Sequence, residues 1–208
     1  MVRKTKEDAA ITRQRIIDAA RETFLLKGVS RTSLEHIASH AGVTRGAVYW
    51  HFQNKAELFY AMREAVYLPL IDRMDDTLLG NADERNPDPL GRIRKHLENT
   101  VQMLEEDQTM RETYEVMMAK CEYVDEFADV LKSILSNCSG LIHKMEQAYA
   151  KAQELGQVST QLTAAELALD THLFFSGLLH MWVKDTEGTL FRDTAMKLIE
   201  THIKLRKK

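Results

Sequence analysis

Between Thr32 and Lys55 the chain gathers side chains that donate hydrogen bonds: Thr32, Ser33, Thr44, Arg45, Tyr49, Trp50, His51 and Lys55, with the small Gly46 and Ala47 among them. Hydroxyls, a guanidinium, ring N–H groups and an ammonium are the groups that hold phosphate oxygens and base edges. Their spacing in "TSLEHIASHAGVTRGAVYWHF", residues 32–52, is that of two short helices joined by a turn. Gly46 and Ala47 let the second helix approach base edges in the major groove. Thr44 and Arg45, at its start, reach bases or phosphates, and Tyr49 and His51 offer hydrogen bonds to the flanking backbone. Lys55 stands at the next helix start, where its charge and the helix's own N–H groups hold a phosphate. The bland reading of the aromatic cluster is a small helical core.

Other chemistries find no support. Eight histidines and 31 carboxylates supply raw material for catalysis, but there is no HExxH run, no Ser-centred elbow and no Gly-rich phosphate loop. His172 and His180 are too far apart in sequence for a metal pair on adjacent turns. Cys121 and Cys138 match no zinc spacing and read as free thiols in a reducing compartment. The expectation is no enzyme, no metal and no cofactor. No N-terminal signal and no apolar run of membrane-spanning length is seen, so a cytoplasmic protein with no membrane contact is expected.

These residues need elements to hold them. Gly and Pro are scarce, at nine and three, and no strand pattern appears, so the fold class is all-α. A first helix is expected over Thr12–Lys27, after a polar, frayed start at residues 1–9, with Gly28 ending it in the left-handed conformation. Thr32 with Glu35 reads as a capping box, Gly42 as the turn, and Thr44 and Asn54 as caps of the next two helices. The fourth helix runs through Pro69, where a bend is expected near 66–69. The stretch "LGNADERNPDP" is the clearest linker. Later helices follow in "PLGRIRKHLENTVQML", around Met110–Met118, over 127–149 ending near Gly156, after a Thr163/Glu166 capping box, and before "KLRKK".

Charge is uneven. Residues 1–60 hold ten Lys/Arg against six Asp/Glu, a net +4, while the rest holds eighteen against twenty-five. A mildly basic head on an acidic body suits a polyanion at the head.

The segments "IIDAARETFLLKG" and "TSLEHIASHAGVTRGAVYWHFQNKAELF" resemble the DNA-binding head of the TetR/AcrR family of bacterial repressors. "DPLG" at 88–91, "KCEY" at 120–123 and the start "MVRKTKEDA" resemble the subgroup that represses multidrug efflux pumps. The resemblance implies about nine helices: a helix-turn-helix head over 1–55, and a ligand-binding and dimerisation body over 56–208. It implies a homodimer paired through its last two long helices. There "LALDTHLFFSGLLHMW" is apolar on more than one side, and Leu167, Phe174, Leu178 and Met181 are expected to form the interface stripe.

The resemblance also implies a pocket in the body. Its candidates are His96, Leu97, Thr100, Tyr114, Met118, Met145, His172, Phe175, Ser176 and His180. Large, adaptable Met and aromatic side chains with a few polar groups suit a small hydrophobic or aromatic effector. The expected function is a ligand-responsive transcriptional repressor. It binds a palindromic double-stranded DNA operator, controls an efflux pump and is released by drug-like effectors. The alternative is a helical lipid- or metabolite-binding protein, or a metabolic regulator of the same fold, without an efflux role.

Overall fold

The computed structural model describes residues 6–78 and 87–208, with the backbone alone for 67–77. Among these residues it contains nine α-helices: α1 Lys6–Lys27, α2 Leu34–His40, α3 Arg45–His51, α4 Lys55–Leu78, α5 Pro89–Glu106, α6 Gln108–Ala119, α7 Ala128–Glu154, α8 Ala164–Lys184 and α9 Ala195–Lys204. The all-α expectation holds. α1 starts six residues before the expected Thr12, so the polar start is already helical from Lys6. α4 is helical through Pro69, the site of the expected bend, and most of the "LGNADERNPDP" linker lies outside the described residues.

The described chain forms two compact units, Met1–Tyr67 with Thr109–Leu131, and Leu68–Gln108 with Lys132–Lys208. In the first, one face of α1 buries Ile16, Ile17, Ala20 and Phe24. Phe24 meets Phe59 of α4 at 6.1 Å between ring centroids, and Phe59 packs edge-on to Phe127 at 5.4 Å. Val48 is the buried residue of α3 and sits with Ile37 and Phe52 in the core beneath the helix-turn-helix. Non-directional burial of this kind fixes the angle of α3 without using any polar group on its outer face.

In the second unit, α5 begins at Asp88, whose Oδ1 accepts from the Gly91 N–H at 2.8 Å, with Pro89 in the first helical turn. This accounts for "DPLG": a Cβ at Gly91 would come within 2.0 Å of the Asp88 carboxylate. Leu90, Ile93, Leu97, Val101 and Leu104 face inward from α5, as their spacing predicts. The core also holds a small polar cluster. Thr171 Oγ lies 2.7 Å from Tyr149 Oη and 3.1 Å from His202 Nε2, and His202 stacks on Phe174 at 3.8 Å.

α8 corrects the expected interface stripe. Leu167 and Leu178 are buried, Phe174 is half-buried against His202, and Met181 alone of the four is exposed. The outward face carries Leu169, Leu173, Gly177 and Met181, one residue per turn. The Thr163/Glu166 capping box at its start is present as expected.

Candidate nucleic-acid interface

The turn between α2 and α3 is built by backbone closure. Val43 N–H donates to Ala38 O at 3.0 Å, and Arg15 Nη2 donates to Ala41 O at 2.7 Å. Gly42 has φ +62°, a left-handed conformation that costs glycine little. α3 then starts at Thr44, whose Oγ1 accepts from Ala47 N–H at 3.2 Å. A threonine hydroxyl accepting a cap bond still has its proton to donate outward.

The α2 cap lies one residue later than expected. Ser33, with extended backbone, accepts from His36 N–H at 3.2 Å, and the His36 ring accepts from Ser33 N–H at 3.4 Å, so the capping box is Ser33/His36 and not Thr32/Glu35. Thr32 is buried, and its hydroxyl donates to Gly28 O at 2.8 Å. It shapes the entry to α2 and presents no donor to a nucleic acid, contrary to the expectation for it. Ser33 stays half-exposed at the helix N-terminus.

The outer face of α3 is open. Thr44, Arg45, Gly46, Tyr49 and Trp50 are exposed and Ala47 and His51 are half-buried, with Trp50 72% exposed. The Trp50 ring stands edge-on to His51 at 4.5 Å. A groove of about 410 Å³ runs along this face, with Thr44, Gly46, Ala47, Trp50 and His51 on the α3 side and Ala9 and Thr12 of α1 opposite. Those two α1 residues were not among the candidates: Ala9 fell in the expected frayed start, and the placement of Thr12 beside α3 is set by how the helices cross.

Lys55 is more inward than expected. Its Nζ donates to Val29 O at 2.9 Å and lies 5.7 Å from the Phe127 ring centroid. One of its three donors is therefore committed within the protein. Arg45 has a neighbour that sequence reading passed over. Its Nε lies 3.1 Å from Glu35 Oε1, and its guanidinium lies over the Tyr49 ring at 5.2 Å. Backbone hydrogen bonding first, then the Ser33 hydroxyl, holds the Glu35 carboxyl below the usual carboxylate range, so it stays ionised.

The ligand candidates distribute over both units. Tyr114 and Met118 lie half-buried on α6 in the first. In the second, His96 and Leu97 of α5, Met145 of α7 and Phe175 of α8 are buried, while Thr100, His172, Ser176 and His180 are half-buried. Ser176 Oγ lies 3.5 Å from His172 Nε2, and Thr100 donates to His96 O on its own helix at 2.9 Å. Burial pushes the His96 pKa down to about 4 and lowers that of His172, so both are neutral near pH 7. Neutral imidazoles and hydroxyls offer orienting hydrogen bonds without a charge. Burial also pushes the Cys121 thiol up to about 12, which leaves it a protonated, unreactive thiol.

Residues 16–62 match the model for bacterial regulatory proteins of the tetR family, and residues 88–207 match that for the C-terminal region of MAATS-type transcriptional repressors. The chain is 37% identical over 183 residues to the HTH-type transcriptional regulator TtgR of Pseudomonas putida, covering 88% of this chain and 85% of TtgR. It superposes on NalD, the secondary repressor of the MexAB-OprM multidrug efflux pump in Pseudomonas aeruginosa, with a TM-score of 0.85 and 33% identity, over 98% and 99% of the two chains. It superposes on the complex of SmeT with triclosan with a TM-score of 0.79 and 29% identity, over 95% and 92%; SmeT represses the SmeDEF efflux pump of Stenotrophomonas maltophilia. With a helix-turn-helix head presenting an open α3 and a helical body that matches over residues 88–207, the chain belongs to the TetR family of transcriptional regulators.

Proposed function

We propose that this chain is a homodimeric, ligand-responsive repressor of a multidrug efflux operon, acting in the cytoplasm. Residues 1–55 read the operator, and residues 56–208 bind the effector and dimerise. The observation that carries the reading is the outer face of α3. A folded core leaves Thr44, Arg45, Gly46, Tyr49 and Trp50 uncovered on one short helix whose inner side is anchored by Val48. Small residues at the point of approach flanked by donors meet the requirement of a major-groove reader. Two copies related by a twofold axis require a palindromic site with half-sites one helical turn apart, about 34 Å.

Dimerisation through α8 and α9 is supported by the outward row of Leu169, Leu173 and Met181, with Gly177 permitting close approach, and by Leu198 on α9. A contiguous apolar row of this kind on the surface of a helix suits a protein interface. The effector is a small hydrophobic or aromatic molecule without a required positive charge. This is supported by the neutral His96 and His172, the latter 3.5 Å from Ser176 Oγ, by the apolar Met145 and Phe175 of the same unit, and by the triclosan held by SmeT. An effector that favours a head spacing misfitted to the operator lowers DNA affinity by linkage.

A gel shift with the DNA upstream of the chain's own gene tests this reading, with and without triclosan as the probe effector. A specific complex that triclosan or a related apolar compound dissolves supports it. A protein that binds such compounds and ignores DNA of every sequence is the helical binding protein of the alternative reading.

A further inference from the structure

Deepening the proposed DNA-binding reading, and resting on it, we propose that Glu35 is a specificity-determining residue. It brackets Arg45 so that the guanidinium serves a base edge and is withheld from phosphates. On a surface meant for a polyanion an acid is out of place, because every carboxylate there repels the phosphates that supply most non-specific affinity. Glu35 nevertheless stands in the first turn of α2 with its Oε1 3.1 Å from Arg45 Nε.

On the other side of Arg45 lies Tyr49, with the ring centroid 5.2 Å from the guanidinium carbon and the hydroxyl 3.5 Å from Nη2. The pair is exposed, 64% for the Arg45 side chain and 48% for Glu35. Exposed ion pairs add little to folding, so stability is a poor reason for it. Its effect falls on where Arg45 can point. A long flexible side chain at the start of a recognition helix has phosphates within reach in any sequence. Held at Nε by Glu35 and at one N–H of Nη2 by the Tyr49 hydroxyl, it still has both N–H groups of Nη1 and the second of Nη2 for a bidentate contact with a guanine edge.

Glu35 touches no base in this account. It acts through Arg45 and subtracts from binding to the wrong DNA. The effect is discrimination by a repulsive element, which costs the correct complex less than the incorrect one. The ionised state this needs is secured locally, since the α2 N-terminus and the Ser33 hydroxyl both favour the charged carboxylate.

The test compares a footprinted operator duplex with a scrambled duplex of equal length, by fluorescence anisotropy across a salt series. The expected result for Glu35→Gln is about a five- to tenfold gain on scrambled DNA, with a salt slope steeper by about one there, and less than about a twofold change on operator. Glu35→Asp, which keeps the charge, stays within about twofold of wild type on scrambled DNA. In an Arg45→Ala background, Glu35→Gln leaves the operator-to-scrambled ratio unchanged. An equal gain on both duplexes, no change on either, or the same ratio shift with Arg45 absent overturns the proposal. Wild-type protein that does not separate the two duplexes overturns the DNA-binding reading itself, an outcome distinct from the other three.

Discussion

Arg21 of α1 donates from Nε to Glu112 Oε2 on α6 at 3.1 Å and from Nη1 to Asp18 at 2.9 Å, with its side chain almost fully buried. It ties the helix that supports the recognition elements to the helix that carries Tyr114 and Met118. Removing its guanidinium takes two charge-assisted bonds from a largely buried position. Arg21→Ala is expected to lower stability by about 2 kcal/mol, read by urea unfolding. It is also expected to reduce the loss of operator affinity that a saturating effector causes. A mutant destabilised to that extent but with the same effector response shows that the contact is structural only.

Arg45→Ala and Lys55→Ala are expected to differ in kind. Arg45 is exposed on the face of α3, and its loss should weaken binding and flatten the preference among operator variants by about 1–3 kcal/mol at one base pair. Lys55 is bound to Val29 O, so its loss should appear first as reduced thermal stability, with the preference among variants retained. Anisotropy on a panel of single-base operator variants, with a melting curve for each mutant, separates the two.

Asp185 holds the chain between α8 and α9. Its Oδ2 accepts from the N–H groups of Leu190, Phe191 and Arg192 at 3.0, 2.7 and 3.1 Å, and its Oδ1 from Gly188 at 3.1 Å. Those backbone bonds, that from Arg192 foremost, hold its carboxyl below the usual range. The folded pKa is below the unfolded one, so the stabilisation is fully present above the unfolded value, about 3.9, and is lost as pH falls through the folded value. Asp185→Asn is expected to melt earlier than wild type at pH 7, with the gap closing below pH ~4. A gap that persists unchanged at acid pH contradicts this role.

Gly91→Ala should cost about 1 kcal/mol, the worth of a helix N-cap, because its Cβ displaces the Asp88 carboxylate from the Gly91 N–H. In the cycle with Asp88→Ala the second mutation should add almost nothing. Additive losses in urea unfolding rule out the shared cap.

Much of this was legible in the sequence, and the failures have physical causes. Gly28, Gly42, Thr44 and the Thr163/Glu166 box could be assigned because each depends on contacts within a few residues. The α2 cap slipped by one because Thr32 and Glu35 fit the usual hydroxyl-and-carboxylate pattern, whereas in Ser33 and His36 an imidazole takes the acid's place. The decision lies in the Thr32 hydroxyl, which turns back to Gly28 O. α8 misled because it is apolar on both sides, so periodicity alone could not tell inward Leu167 and Leu178 from outward Leu169 and Leu173. Lys55 and Glu35 were legible as charges but not as contacts. Their partners, Val29 and Arg45, are set by how helices cross, which the sequence carries only through packing.

The central claim is that residues of α3 read an operator of twofold symmetry. DNase footprinting of wild-type protein across the intergenic region beside its gene, at about 50 mM salt where phosphate contacts are strong, addresses it most directly. One protected palindromic region is expected, and it disappears with Arg45→Ala and with added apolar effector. Protection without twofold symmetry, or a footprint that Arg45→Ala leaves intact, would contradict it.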